Sequence, residues 1–290
     1  MPLNTQLIGR EYPPTATTVT LEALQKYARA YNDDNQRFFD PAAPGGIVAP
    51  PMFGVTMTWL SLIGAVGEPE LGVDLLRLLH SEQDMEFLVP LRPGDALTST
   101  ARIASIEARP GAEAMTIELD ARNRAGAPVL HTLFGVLIRR ARRERGASGA
   151  SAEPRSTERT ADAPGEPEFS VTQTIDSDQT VRYAEASGDR NPIHLDENVA
   201  KMAGLPGVVV HGLCTMAFAS RVIIDRLCNG EPTRLKRLRA RFSRPVLPGQ
   251  SITTCVWPGD KHAGRIAYTY ETRNPDGIAV IRGGIAEIAP

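Results

Sequence analysis

The sequence predicts an α+β protein in which one structural unit is used twice. Each half begins with helix-like apolar spacing and continues into β-rich runs, a pattern typical of a helix packed on an antiparallel sheet. The motifs of the second half repeat those of the first in the same order. The length, 290 residues, also suits two domains.

Composition narrows the class of protein. Hydrophobic residues make up 42% and charged residues 23%, which is ordinary for a globular protein, and a net charge of -2 gives no reason to expect nucleic acid as a partner. The three cysteines lack CxxC spacing and are expected to be buried thiols in a reducing compartment. No signal-peptide pattern and no run of ~18 apolar residues is present, so we expect a cytoplasmic protein without membrane contact.

The elements of the first half follow in order. A helical pattern begins at Leu21, and an apolar run over residues 52–64 predicts a helix that is buried on most sides. From Met85 the sequence turns β-rich, with a strand that ends at a Pro-Gly turn. Further strands are predicted at Leu97–Glu107, Met115–Arg122 and Pro128–Arg139.

A charged stretch rich in small residues separates the halves. It has no apolar periodicity, which is typical of a flexible linker. We therefore predict an N-terminal domain at 1–141, a linker at 142–167 and a C-terminal domain at 168–290.

The repeat is clearest when Tyr27 is placed on Tyr183. Y-A-R-A-Y-N-D-D-N-Q-R-F-F-D then faces Y-A-E-A-S-G-D-R-N-P-I-H-L-D, and six of fourteen positions match. Further on, F-G-V-T-M-T-W faces H-G-L-C-T-M-A, and F-L-V-P-L-R-P-G-D faces F-S-R-P-V-L-P-G-Q. The long apolar helix of the second copy is predicted to start at Gly212.

The two copies differ in chemistry. The second has His194 and His211 where the first has Phe38 and Phe53, although both keep an Asp and an Asn in the loop. An acid and an imidazole near a helix N-terminus form an acid/base pair beside an oxyanion site. We predict one active site per chain, in the second half, and a first half adapted to accept something apolar.

Two other interpretations of this loop remain open. Asp, Asn and Gly are common turn formers, so part of the pattern is explained by structure alone. The spacing of His194 and Asp196 also suggests a metal, but no further ligands lie at suitable spacing, so no metal is predicted.

At S-G-D-R-N-P-I-H-L-D and G-L-P-G-V-V-V-H-G-L-C-T the sequence resembles the MaoC-like dehydratases, specifically the (R)-specific type 2 enoyl-CoA hydratases. The resemblance continues through F-S-R-P-V-L-P-G-Q-S-I-T-T-C-V-W and covers the second half; the first half is similar, more loosely, to a degenerate N-terminal domain. It implies a double hot dog fold, two long helices each wrapped by a curved antiparallel sheet. It also implies reversible syn addition of water to trans-2-enoyl-CoA.

The resemblance also implies roles for individual residues. Asp189 and His194 are the catalytic pair that holds the water, Asn191 orients the loop, and the backbone N–H of Gly212 faces the thioester carbonyl. We expect the substrate-binding set to include Ser187, His211 and Arg241.

No cofactor is expected, because coenzyme A is part of the substrate. The partner is an acyl thioester of coenzyme A or of an acyl-carrier protein, and the sequence leaves a homodimer open. A non-catalytic acyl-CoA-binding hot dog or partner subunit, and a thioesterase on the same fold, remain alternatives.

Overall fold

The computed structural model describes residues 2–74, 77–139, 165–262 and 264–290. Most of the predicted linker, residues 142–164, lies outside the described residues. Six α-helices and ten strands are assigned in the described part of the chain. The helices are α1 Leu21–Arg29, α2 Gln36–Phe39, α3 Gly54–Val66, α4 Gln179–Ser187, α5 Glu197–Met202 and α6 Gly212–Leu227. The strands are β1 Thr15–Thr18, β2 Leu78–Phe87, β3 Ala96–Arg109, β4 Ala112–Asn123, β5 Pro128–Arg139, β6 Phe169–Thr174, β7 Leu235–Phe242, β8 Ser251–His262, β9 Arg265–Arg273 and β10 Ala279–Ile288.

All ten strands form one antiparallel sheet. Their order is β1-β3-β4-β5-β2-β7-β10-β9-β8-β6, so the second half repeats the strand order of the first in reverse. The halves join where β2 pairs with β7, with Glu82 opposite Arg241 and Glu86 opposite Arg237. Each half is a long helix covered by five strands, and the predicted α+β double hot dog is confirmed.

Both long helices were predicted, but the prediction that the first is buried on most sides is wrong. α6 buries nearly every residue of its first three turns. In α3, by contrast, Leu60 and Ile63 are 49% and 45% exposed. α3 packs against β1, β3 and β4, and the stripe that carries Leu60 and Ile63 stays exposed. The apolar run therefore predicted the long helix correctly, but it did not predict how much of the helix surface is buried.

The junction of the halves uses arginines that lie within β7. Arg237 donates to both carboxylate oxygens of Asp84, at 2.9 and 2.7 Å, and also contacts Glu287 at 3.0 Å. Arg239 pairs with Glu82. Because these side chains are partly buried and multiply paired, their first role is to bind β2 to β7.

The three cysteines, Cys214, Cys228 and Cys255, are buried and free, as predicted. Among the described residues, no helix has both the length and the apolar character needed to cross a bilayer.

Candidate active site

The second-half loop begins where α4 ends at a left-handed residue. Gly188 has φ +83°, and its counterpart in the first half, Asn32, has φ +61°. These two residue types enter the left-handed region most readily, so both copies turn at the same point. The turn carries the chain from α4 directly to Asp189.

Two side chain–backbone hydrogen bonds then shape the loop. Asp189 Oδ1 accepts from the N–H of Asn191 at 3.1 Å, and Asn191 Oδ1 accepts from the N–H of Ile193 at 3.3 Å. Asn191 thereby caps a short 3-10 turn, Pro192–His194, that sets the position of the histidine. The loop-orienting role of Asn191 in catalysis stays a prediction.

The first half builds the same turns without the chemistry. Asp33 Oδ1 accepts from the N–H of Asn35 at 3.0 Å, and Asn35 Oδ1 accepts from the N–H of Arg37 at 2.9 Å. The Asp and the Asn are therefore turn formers in both copies. A turn of this kind does not require His194, since Phe38 occupies that place in the first half.

His194 is held in one tautomer. Its Nδ1 lies 2.8 Å from the backbone oxygen of Val209, which can only accept, so Nδ1 carries the proton. The lone pair of Nε2 is then available to a ligand. The side chain is 8% exposed, and burial lowers its pKa, although the nearby Asp189 carboxylate acts in the opposite direction.

His211 lies directly against this imidazole. The two rings stack with centroids 3.7 Å apart and planes inclined by 25°. Nε2 of His211 donates to the backbone oxygen of Asp189 at 3.0 Å, while its Nδ1 is buried without a hydrogen-bond partner among the described residues. Burial, with a smaller effect from His194, holds the pKa of His211 well below its usual value. His211 therefore supports Asp189 as a neutral ring.

Asp189, His194 and His211 each place a ligand-type atom within 4.8 Å of those of the other two. One water molecule bridges polar atoms at such separations with hydrogen bonds of ordinary length. The same donor set has the chemistry to hold a cation, so the prediction of no metal stays a prediction.

Gly212 opens α6 beside this cluster. As the first helical residue, its N–H has no carbonyl within the helix to donate to, and it lies at the positive end of the helix dipole. A Cβ at this position would lie 3.1 Å from the ring of Phe242, tighter than ordinary packing allows. Glycine thus lets the strand β7 approach the helix start closely.

The predicted substrate-binding residues occupy different places. The buried hydroxyl of Ser187 donates to the Tyr183 carbonyl at 2.8 Å and accepts from the N–H of Asp189 at 3.2 Å, so it ties the loop to α4. Arg241 lies on the outward side of β7, with its side chain 56% exposed and 3.3 Å from Glu82. The structure brings Ser187 and His211 to the cluster but directs Arg241 away from it.

One side chain of the first half, His80, was not predicted to lie near this cluster. The strand preceding the first-half turn begins at Leu78 rather than near Met85, and it carries His80. The charges of Asp189 and His194 both act on the pKa of His80. Counting back seven residues from Phe87 and from Phe242 would have placed His80 opposite Leu235 in the repeat, a third exchange of imidazole for an apolar residue.

An apolar cleft lies beside the start of α3 in the first half. Its lining includes Gly54, Phe87 and Leu235, the repeat counterparts of Gly212, Phe242 and His80. A Cβ on Gly54 would lie 2.9 Å from Leu130. The repeat has thus kept the glycine at the helix start and the facing phenylalanine in both halves, whereas the imidazoles at positions 194 and 211 occur only in the second half.

Two family models match the chain. The MaoC like domain matches residues 159–276, and the FAS1-like, dehydratase domain region matches residues 6–132. The chain is 28% identical over 245 residues to a probable enoyl-CoA hydratase 2 of Dictyostelium discoideum, covering 83% of this chain and 80% of that one. It is 30% identical over 218 residues to a peroxisomal enoyl-CoA hydratase 2 of Arabidopsis thaliana, covering 71% of this chain and 68% of the relative.

The fold is shared with a solved structure over its whole length. A MaoC-like dehydratase from Phytophthora capsici superposes with a TM-score of 0.80 at 24% identity, over 99% of this chain and 98% of that one. Together with the relatives, this places the chain in the class of MaoC-like double hot dog proteins. Within that class it belongs to the enoyl-CoA hydratase 2 family.

Proposed function

We propose that this chain is an (R)-specific enoyl-CoA hydratase, or 3-hydroxyacyl-CoA dehydratase in the reverse direction. It adds water reversibly and with syn geometry across a trans-2-enoyl thioester. The observation that carries the proposal is the cluster of Asp189 and His194 beside Gly212, because the otherwise similar first half has phenylalanines in place of its histidines.

The geometry supports a division of labour in the reaction. Water lies between the Asp189 carboxylate and the free Nε2 of His194, which takes one proton as the water oxygen bonds to C3. Electron density moves to the thioester oxygen, which the N–H of Gly212 stabilises. The pair then returns a proton to C2 on the same face, so one water is added in full. One acid/base group of this kind contributes ~10²–10⁴-fold in rate, and one oxyanion donor ~10²–10³-fold.

A neutral His194 at pH 7 suits the base role in hydration. Burial lowers its pKa, and the proton on Nδ1 is fixed by the Val209 carbonyl. The nearby Asp189 carboxylate stabilises the imidazolium that forms during the reaction. Tuning of this kind keeps the resting ring unprotonated without preventing it from taking a proton from water.

The repeat supplies a matched control for the test. We would follow loss of enoyl-thioester absorbance with trans-2-enoyl-CoAs of several chain lengths, for the native protein, Asp189→Asn, His194→Ala and the control Asp33→Asn. We expect activity to fall by at least ~10²-fold in the first two variants and to persist in the third, with a 3R product. Asp33 occupies the same kind of turn, so equal losses at both aspartates would point to a structural role.

The same assay separates the remaining alternatives. Release of free thiol would identify a thioesterase. Enoyl-CoA binding without turnover by the folded native protein would identify a binding subunit. The acyl group, the thiol carrier, the compartment and the oligomeric state stay predictions.

A further inference from the structure

A β-bulge in β2 turns His80 toward the site. In the pairing with β5, His80 lies opposite Val136 and Glu82 opposite Gly135, which leaves Ser81 as an extra residue. Beyond the bulge, Gln83 is buried on the core side while Glu82 faces the arginines of β7. Because a bulge shifts the alternation of side chains by one residue, His80 faces inward instead of sharing the outer face with Glu82.

The second half has a β-bulge at the matching place, but without a histidine beside it. In β7, Lys236 is the extra residue between Leu235 and Arg237 in the pairing with β10. Leu235, the counterpart of His80, is 1% exposed and lines the apolar cleft. Each strand at the centre of the sheet thus sends one side chain into the site of the opposite half. Only the one directed at Asp189 and His194 is polar.

The surroundings of His80 place it on the wall next to the oxyanion donor. Its ring stacks on Phe134 with centroids 3.9 Å apart and lies 4.7 Å from the ring of Phe242. Phe242 in turn packs against Gly212. One aromatic ring therefore separates His80 from the start of α6, and the side chain is only partly buried.

The tautomer of His80 follows from its contacts. Nε2 lies 3.0 Å from the backbone oxygen of Glu82, which can only accept, so Nε2 carries a proton. Burial lowers the pKa of His80 to about 4, despite opposing effects from the Glu82 carbonyl, Asp189 and the Gln83 side chain. At neutral pH the ring is therefore neutral, with a lone pair on Nδ1. The hydrogen bond to Glu82 does not use this lone pair.

A lone pair of this kind needs a donor, and an enoyl thioester offers few. The enoyl chain and the thioester carbonyl carry no N–H or O–H. In the proposed reaction the attacking water donates to Asp189 and His194. The remaining donor close to the reacting carbons is the amide N–H of the thiol arm, two carbons from sulfur, which coenzyme A and the phosphopantetheine of carrier proteins share.

We propose that His80 is a substrate-contacting residue supplied by the first half, and that its Nδ1 accepts a hydrogen bond from the amide N–H nearest the thioester. This inference rests on the proposed hydratase function. The contact holds the thiol arm along the Phe242 wall and so aligns the thioester carbonyl with the N–H of Gly212. The same contact forms before and during the reaction, so it acts mainly on KM.

The test pairs a change in the protein with a change in the substrate. Two enoyl thioesters of one acyl chain are compared: one of N-acetylcysteamine, which keeps the amide N–H, and one of an alkanethiol of similar length, which lacks it. For the native protein we expect kcat/KM to favour the amide-bearing ester by about threefold to tenfold, the effect of one neutral hydrogen bond. In His80→Leu this preference should vanish. Leucine is the natural choice because Leu235 occupies the matching position in the other half.

Further variants keep the test independent of folding defects. His80→Phe also removes the acceptor, and His80→Asn restores an acceptor near Nδ1 and should recover part of the preference. Phe134→Leu is the packing control, because it loosens the wall but leaves the imidazole in place. It should slow both esters equally.

The outcomes are distinct. An active enzyme whose preference is the same with and without His80 overturns the contact and leaves the hydratase function intact. An inactive native protein overturns the hydratase function and, with it, the role of His80. A preference that disappears only with the imidazole supports both.

Discussion

The hydroxyls of Tyr27 and Tyr183 lie 2.8 Å apart, fully buried, although 156 residues separate them in the chain. The two tyrosines are the first matched positions of the repeat, so the hydrogen bond joins equivalent atoms of the two units. Each also contacts the ring at its own helix start, Phe53 at 5.7 Å or His211 at 5.0 Å. The contact therefore links the polar site to its apolar counterpart across the centre of the molecule.

This pair makes a prediction about stability. Tyr27→Phe or Tyr183→Phe leaves one buried hydroxyl without its partner, and each should lower the free energy of unfolding by about 1–3 kcal/mol. The double variant removes both hydroxyls and should cost no more than either single change. Urea unfolding of the four proteins measures this coupling. Losses that simply add would show that the hydroxyls do not interact.

The repeat explains how much of the molecule could be predicted from its sequence. Two copies of one motif gave the fold class, the start of α6 at Gly212 and the loop that brings Asp189 to His194. These features depend on local turns and on apolar spacing, which a sequence displays directly. The comparison with Phe38 and Phe53 also showed which half carries the two imidazoles.

The inward orientation of His80 and the exposed face of α3 could not be predicted from the sequence, for physical reasons. A bulge at Ser81 breaks the two-residue alternation, so nothing in L-L-H-S-E-Q signals an inward histidine. The exposure of Leu60 depends on which strands cover α3, a long-range property. The ion pairs of the β7 arginines were not predicted either, because the carboxylates of Asp84 and Glu82 lie on β2 and only the joined sheet brings them near.

Acid should destabilise the protein before its ordinary carboxylates titrate. Burial lowers the folded-state pKa of His80, His194 and His211, so below pH ~6.5 the unfolded chain binds protons that the folded chain does not. Each histidine that stays neutral in the fold contributes a loss of up to about 1.4 kcal/mol at pH 5.5. Asp33 acts oppositely, because burial raises its pKa to about 6 and the folded state then takes up a proton first.

The three histidines outweigh Asp33 and the half-buried Asp225, whose pKa burial also raises, so we expect a net loss on the order of 1–3 kcal/mol between pH 7.5 and 5.5. Urea midpoints across this range measure the loss. Asp33→Asn removes the opposing effect and should steepen it, whereas His80→Leu should make it shallower. If the protein is equally stable at pH 7.5 and pH 5.5, the histidines are not held neutral in the folded state.

Substitution of Arg241 tests whether β7 binds the phosphates of coenzyme A. Of the arginines of this strand, it is the most exposed, and its contact with Glu82 is the longest of the direct hydrogen bonds there. An exposed guanidinium has little to lose by turning to a phosphate, so Arg241→Ala should raise KM for an enoyl-CoA severalfold while kcat stays unchanged. The N-acetylcysteamine thioester has no phosphate, and its KM should not move.

The matched control is Arg226→Ala, which removes the same charge from an exposed position at the far end of α6 from Gly212. Arg226→Ala should leave KM for both thioesters unchanged. Added salt should reduce the effect of Arg241→Ala on KM, because exposed charge pairs are screened. If both thioesters respond alike to Arg241→Ala, the residue acts through the packing of β7. If the KM of neither thioester changes in Arg241→Ala, the phosphates bind elsewhere, and the arginines of β7 serve only to join the two halves of the sheet.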